Sequence, residues 1–191
     1  MKSLYANIMV FEQPPENTHA SLVQAMQSMD GVEFDLRLTA DGQVVIHHDH
    51  FVSLPTEMLD GRPKIVEEWD LADLESVGFC SFEKLMSDKD WLVPWQEHSK
   101  VACLEIKRCL PKIEKNPTKR MAKIMQLASE MVDEAGIHDE AAVFYAFHKP
   151  MQKVAKLSGS NRPWSRLLPT VPRTGSHNSK RIRALPQFVS Y

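Results

Sequence analysis

The sequence predicts an α/β fold built around a parallel sheet, and three observations carry that expectation. Strand-like and helix-like apolar patterns alternate through most of the chain, the order that successive βαβ units produce. Residues 101–106 form an almost unbroken apolar run, as a strand covered on both faces should. Residues 31–49 read as two short strands around a tight turn, with Val32, Phe34 and Leu36 alternating with Glu33, Asp35 and Arg37.

Taken in order, residues 4–11 are apolar enough for a first buried strand, Asn7 apart. Residues 13–16 form a loop, and Asn17 or Thr18 offers a side-chain oxygen to cap a helix. Leu22, Val23, Met26 and Met29 recur at helical spacing and predict an amphipathic helix over 18–29, ended by Asp30-Gly31. After the strand at 32–38, Ala40-Asp41-Gly42 breaks the run and Val44-Val45-Ile46 resumes it. An Asp-Gly pair between apolar strands signals a hairpin, because Gly adopts the positive φ that such turns demand.

Two registers are open. A two-residue turn at Asp41-Gly42 pairs Ala40 with Gln43, which sets Asp35 opposite His48 and Glu33 opposite His50, all on one face. A three-residue turn with a bulge sets His47 opposite Asp35 instead. Either way the return strand runs antiparallel, and we expect it to be an excursion above the sheet rather than a member of it.

Residues 51–66, with Pro55, Gly61 and Pro63, read as a loop. Asp70 is placed to N-cap a short helix carrying Leu71, Leu74 and Val77, and residues 88–99, with Pro94 between Trp91 and Trp95, read as irregular. Pro117 is placed to open a helix as its first residue. Met121, Ile124, Met125, Ala128, Met131 and Val132 give that helix an apolar stripe, which we assign to the core. Lys112, Lys115, Lys119, Arg120 and Lys123 form the solvated side of this segment, and Gly136 ends the helix. A strand at 141–147, a short helix at 151–157 and a last short strand at 166–170 complete the pattern. From Arg173 the sequence is polar, basic and aperiodic, giving a domain over 1–172 and an irregular tail over 173–191.

A chain of 191 residues suits one domain with a sizeable core. A formal charge of −2 with mixed signs argues against nucleic acid or an anionic membrane as partner. No apolar run approaches the ~20 residues that span a bilayer, and residues 1–13 lack the apolar core of a secretory signal. Cys80, Cys103 and Cys109 have no metal-finger spacing and read as reduced packing residues of a cytoplasmic protein.

Three segments carry a resemblance: PPENT at 14–18, VEFDLRLTADGQVVIHHDH at 32–50 and CLEIK at 103–107. In order and spacing they resemble the glycerophosphodiester phosphodiesterase family, over roughly residues 14–172. The resemblance implies a (β/α)8 barrel of the TIM type. Such barrels take ~250 residues, and only five or six strands can be placed here, so the barrel is expected to be incomplete at its C-terminal end. Open sheet edges are a liability, which an oligomeric partner would cover. The implied activity is metal-dependent hydrolysis of a small glycerophosphodiester to an alcohol and glycerol 3-phosphate, in lipid metabolism. The alternative is a catalytically impaired member that retains metal or phosphate binding.

Phosphodiester hydrolysis needs positive charge on the phosphoryl oxygens, and hard cations prefer carboxylate oxygens. Glu33, Asp35 and Glu105 are the expected ligands of one divalent cation, Mg²⁺ or Ca²⁺, each placed at a strand end as a barrel site requires. Lys107, on the Glu105 side, can contact a phosphate oxygen. An imidazole with an ordinary pKa near ~6.5 can serve as acid or base. The resemblance favours His48 over His47, because the family's functional histidine directly precedes an Asp. His19, His98, His138, His148 and His177 lack convergent neighbours and read as surface or capping residues. Relatives carry His-Arg-Gly at the end of the first strand, as partner acid/base and phosphate grip. Residues 7–13 here contain neither His nor Arg, and Ala146-Phe147 stands where relatives tend to have Ser-Phe.

Overall fold

The structure, a computed structural model, describes residues 16–52, 54, 59, 61–97, 100–147 and 151–166. The expected first strand at 4–11, the basic tail and its boundary at 172 lie outside these residues. In chain order the elements are α1 (His19–Ser28), β1 (Gly31–Leu38), β2 (Val44–Ile46), a 3₁₀ turn (Val66–Glu68), α2 (Leu71–Ser76), β3 (Cys80–Ser81) and α3 (Phe82–Met86). They continue with α4 (Lys89–Glu97), β4 (Val101–Ile106), α5 (Pro117–Glu134), β5 (Ala142–Ala146), α6 (Met151–Ser158) and β6 (Trp164–Arg166).

The strands form one sheet in the order β3-β2-β1-β4-β5-β6. β1, β4, β5 and β6 are parallel neighbours, with α5 and α6 as the crossovers of the last two βαβ steps. The alternation of β1 decides which face is core. Phe34, Leu36 and Leu38 pack with Leu104, Ile106 and Phe144 against Met26, Trp91, Met125 and Val154 of the surrounding helices. Glu33, Asp35 and Arg37 alternate with them and therefore project from the opposite face. There they share a surface with Cys103, Val143 and Tyr145, which form a small separate cluster.

The hairpin uses the three-residue turn. Leu36 pairs with Ile46, Arg37 with Val45 and Leu38 with Val44. The ladder closes on Thr39, whose N–H donates to Gln43 O at 2.9 Å and whose Oγ1 accepts from Gln43 N at 2.9 Å. Gly42 takes φ +81°, the left-handed position that ends such turns. Asp35 therefore stands opposite His47, joined by a 3.0 Å bond from His47 N to Asp35 O, and the register with Asp35 opposite His48 is corrected. The return strand is also a sheet member, since β2 pairs with β1 on one side and β3 on the other. It joins where the β1–β4 ladder stops, at the Leu36–Ile106 pair.

Other elements differ from their expectation in instructive ways. Residues 89–97 are helical despite Pro94, because Trp91 and Trp95, one turn apart, are each at most 1% exposed and meet edge-on at 5.4 Å. The gain from burying two indoles outweighs one missing backbone bond. Asp70 occupies the N-cap of α2 without a side-chain bond; Asp41 Oδ1, from the hairpin turn, accepts the Leu71 N–H at 3.2 Å instead. Arg120 leaves the solvated set: its Nη2 donates to Leu38 O at 2.6 Å and Thr39 O at 2.9 Å, tying α5 to the hairpin. The last described strand is at 164–166, earlier than expected, and 167–170 fall outside the described residues.

Truncating Trp91 to Ala is expected to destabilise the fold by about 3–5 kcal/mol, as large aromatic deletions in a core do. Val93→Ala, on the exposed side of the same helix, should stay within about 0.5 kcal/mol of the parent. Urea denaturation of both variants checks the pair, and a neutral Trp91→Ala would contradict the packing of α4.

Candidate functional site

The polar face of the sheet gathers its charges around one rung. β1 and β4 run in a register that puts Asp35 beside Glu105. One residue past β4, Lys107 N donates to Leu36 O at 3.0 Å, which extends the ladder and sets the side chain over that rung. Lys107 Nζ then lies 2.9 Å from both Asp35 Oδ1 and Glu105 Oε1. Asp35 Oδ1 is buried and pairs with Lys107 by charge, without a hydrogen-bond partner. Asp35 Oδ2 accepts from Asn17 Nδ2 at 2.9 Å, and the Asp35 N–H donates to Asn17 Oδ1 at 3.2 Å. Asn17 reaches this position at φ +56°, a conformation that Asn tolerates better than most residues. Helix capping falls to Thr18, whose Oγ1 accepts the Ser21 N–H.

Glu33 completes a carboxylate triad. One ligand oxygen from each of Glu33, Asp35 and Glu105 lies within 4.8 Å of the others. Tyr145 donates its hydroxyl to Glu33 Oε1. Burial pushes Glu33 up to about 7; the Tyr145 bond opposes this, while the Asp35 and Glu105 charges reinforce it. Burial raises Glu105 as well, against the bond from Lys107. Burial and then the bond to Glu33 push the Tyr145 phenol up, so it remains a donor. A donor set of oxygens only, with like charges crowded together and one buried oxygen lacking a hydrogen bond, fits a hard divalent cation. Glu33 and Asp35 lie within β1 rather than at its end, because the hairpin prolongs that strand past the β4 ladder.

An open cleft of about 430 Å³ adjoins the triad, lined by Arg37, His48, His50, Glu105, Lys107 and Arg108 among others. The His48 side chain is 61% exposed, with Nδ1 2.9 Å from Asp49 Oδ1. That bond from His48 holds the Asp49 carboxyl below its usual range. As a carboxylate, Asp49 can only accept in this contact, so His48 Nδ1 is its donor. The His47 ring packs 4.8 Å from Phe79, with Nε2 3.0 Å from Phe51 O, and it does not line the cleft. Burial lowers the pKa of both His47 and His50. Three expected ligands, Lys107 and His48 thus converge on one region.

Local sequence patterns give little sign of the residues that hold this region. Arg37 is 3% exposed and donates to Glu67 Oε1 at 2.6 Å and to His48 O at 3.2 Å from Nε and 2.6 Å from Nη2. In the sequence Asn17 reads only as a cap and Tyr145 only as a strand residue. Alternation does put Arg37 on the Glu33–Asp35 face, but its partner Glu67 lies thirty positions away in a segment without period. His19 pairs with Asp88 at 2.9 Å, away from the cleft. The three cysteines are free and buried; burial lifts Cys80 to about 11 and Cys103 to about 12, which leaves both inert as thiols.

The sequence profile of the glycerophosphoryl diester phosphodiesterase family matches residues 10–152. The chain belongs to this family. A glycerophosphodiester phosphodiesterase from Thermotoga maritima has a similar structure, with a TM-score of 0.55 at 17% identity over 81% of this chain and 57% of that one. An Oleispira antarctica phosphodiesterase, solved with the product sn-glycerol-3-phosphate, gives 0.62 at 23% identity over 90% and 66%. A glycerophosphodiester phosphodiesterase from Parabacteroides distasonis gives 0.58 at 19% over 82% and 60%. No curated protein matches the chain. These likenesses establish a TIM-barrel-like α/β fold, and the chain spans 57–66% of the length of these three relatives. Among the described residues, four parallel strands of such a barrel, β1, β4, β5 and β6, are present in an open sheet that the antiparallel β2 and β3 extend. No described helix is long and apolar enough to cross a membrane.

Glu33 gives the cation-free protein a pH signature. Its folded pKa, about 7, lies above the ordinary value of 4.5, so its contribution to stability is full below 4.5 and is lost as pH rises through 7. Without divalent cations, we expect the parent to lose more stability between pH 5 and 8 than Glu33→Gln does. Urea midpoints at the two pH values in EDTA check this, and parallel pH profiles would contradict the buried environment of Glu33.

Proposed function

We propose that the protein is a metal-dependent phosphoric diester hydrolase of the glycerophosphodiester phosphodiesterase type, releasing an alcohol and glycerol 3-phosphate in glycerophospholipid turnover. The observation that carries this reading is the Glu33, Asp35 and Glu105 triad beside the cleft lined by His48 and Lys107. Glu33, Asp35 and Glu105 would hold one divalent cation, Mg²⁺ or Ca²⁺. When bound, the cation supplies the positive charge that phosphoryl transfer requires. Lys107 fixes Asp35 and Glu105 and offers a point charge towards the cleft. His48 exchanges a proton through Nε2, oriented by Asp49 on Nδ1 and by Arg37 on its carbonyl. Three free cysteines support a reducing compartment such as the cytoplasm.

Residues 7–13 contain no His or Arg, so one of two proton transfers has no second imidazole from that segment. A positioned acid or base contributes roughly 10²–10⁴-fold. We therefore expect turnover at least about a hundredfold slower than in a relative with both groups.

Two measurements test the reading. In calorimetric titrations of Mg²⁺ and Ca²⁺, Glu33→Gln should bind on the order of tenfold or more weaker than the parent, because one of three charges offsetting ion dehydration is gone. Equal affinities would remove the triad as the metal site. In a glycerol 3-phosphate release assay on glycerophosphocholine, His48→Ala should fall by a further ~10²-fold or more. His50→Ala should retain most activity, since its Nδ1 lies 3.2 Å from Arg37 Nη1 and is occupied by that contact. The opposite pattern would transfer the proton role to His50.

A further inference from the structure

Among the described residues, three basic side chains other than histidine line the cleft: Arg37, Lys107 and Arg108. Two of them are committed to protein carboxylates. Arg37 is buried against Glu67 at 2.6 Å, and Lys107 is shared between Asp35 and Glu105 at 2.9 Å each. Arg108 is exposed and has no ion-pair or hydrogen-bond partner among the described residues. β4 ends at Ile106, and the chain then bends into a turn closed by the bond from Ile113 N to Leu110 O at 2.9 Å. Strand alternation is over by this point, so adjacent Lys107 and Arg108 both line the cleft.

Charge balance gives the free guanidinium a task. Glu33, Asp35 and Glu105 bring three negative charges when ionised; Lys107 returns one, and a bound divalent cation would return two. A loaded centre is then neutral as a whole, so the attraction it offers a phosphate group is confined to the short range of the cation and Lys107. Asp49, also on the cleft wall, is paired with His48, and among the described lysines and arginines of the wall Arg108 alone is unpaired. Its planar fork matches two phosphoryl oxygens, which a lysine ammonium cannot do.

We propose that Arg108 is the anion-gripping residue of this cleft, binding the phosphoryl oxygens of a phosphodiester substrate and its phosphomonoester product. The proposal rests on the phosphodiesterase reading of the site. It locates phosphate recognition on the loop after β4, next to the residue that bridges the triad. Arg108 acts on affinity for the anion and leaves cation binding to the three carboxylates.

The test is calorimetric titration of sn-glycerol 3-phosphate into the full chain under saturating Mg²⁺ or Ca²⁺. It compares the parent with Arg108→Gln, Arg108→Lys and Arg62→Gln, the last altering an arginine stacked 5.3 Å from the Trp69 ring and outside the cleft lining. Arg108→Gln should bind about 10–100-fold more weakly, the range for a lost charge-assisted bond. Arg108→Lys should fall between the two, Arg62→Gln should match the parent, and cation affinity should be equal in all four. Equal sn-glycerol 3-phosphate affinity in the parent and Arg108→Gln would overturn the assignment, as would a loss of cation binding in Arg108→Gln. A parent that binds the cation but not sn-glycerol 3-phosphate would instead fail the phosphodiesterase reading itself.

Discussion

The site depends on the peptide groups of Asp35 and Leu36. Asp35 N–H is taken by Asn17 Oδ1, Asp35 O by His47 N, and Leu36 O by Lys107 N. Three segments that border the candidate site, the entry to α1, the loop after β2 and the end of β4, are thus fastened to adjacent residues of one strand. Each bond satisfies a backbone group that would otherwise be costly to bury. The same alternation sends Phe34 and Leu36 into the helical core, so the triad cannot shift without disturbing packing. This explains how carboxylates that repel one another can be held so close: the backbone holding them is anchored by apolar burial on the other face.

Much of this is legible in the sequence because it follows from periods of two and 3.6. The alternation of β1, the continuous β4, the Pro117 start of α5 and the Glu105–Lys107 pairing are all local patterns. The features that escape a sequence reading are decided by partners far along the chain. Pro94 argues for a break only until the 0–1% exposure of Trp91 and Trp95 is known. Arg120 looks like one more cation on a solvated face until the carbonyls of Leu38 and Thr39 are found beside it. The turn is decided by the Thr39 hydroxyl, which accepts the Gln43 N–H and makes position 39, not 40, the closing residue.

The histidines show how the register can differ from the expected one while His48 still lines the cleft. Pairing arguments hold only while a strand lasts, and β2 ends at Ile46. Beyond it, Arg37 takes the His48 carbonyl with two nitrogens. His47 is drawn to Phe79 and the Phe51 carbonyl, while His48 lies on the cleft wall. A buried arginine therefore overrides the position that the ladder would assign. Its cost is desolvation of the Arg37–Glu67 pair, a type of interaction that contributes little net stability but is expensive to break from one side. Such a pair suits a residue whose task is orientation.

The arrangement divides into a dry floor and a wet rim. Asp35, Glu105, Arg37 and Glu67 are each at most 6% exposed, while the side chains of His48 and Asp49 are more than 60% exposed. Floor charges interact at short range in a poorly screened environment, which favours tight, geometrically strict binding of a hard cation. Rim groups act through water, where an ion pair is weak and an imidazole exchanges protons freely. On the proposed reading, the floor would hold the cation and the rim would meet a small charged solute. On that reading the exposed rim favours binding over reaction, because electrostatic stabilisation of a transition state is strongest where water is excluded.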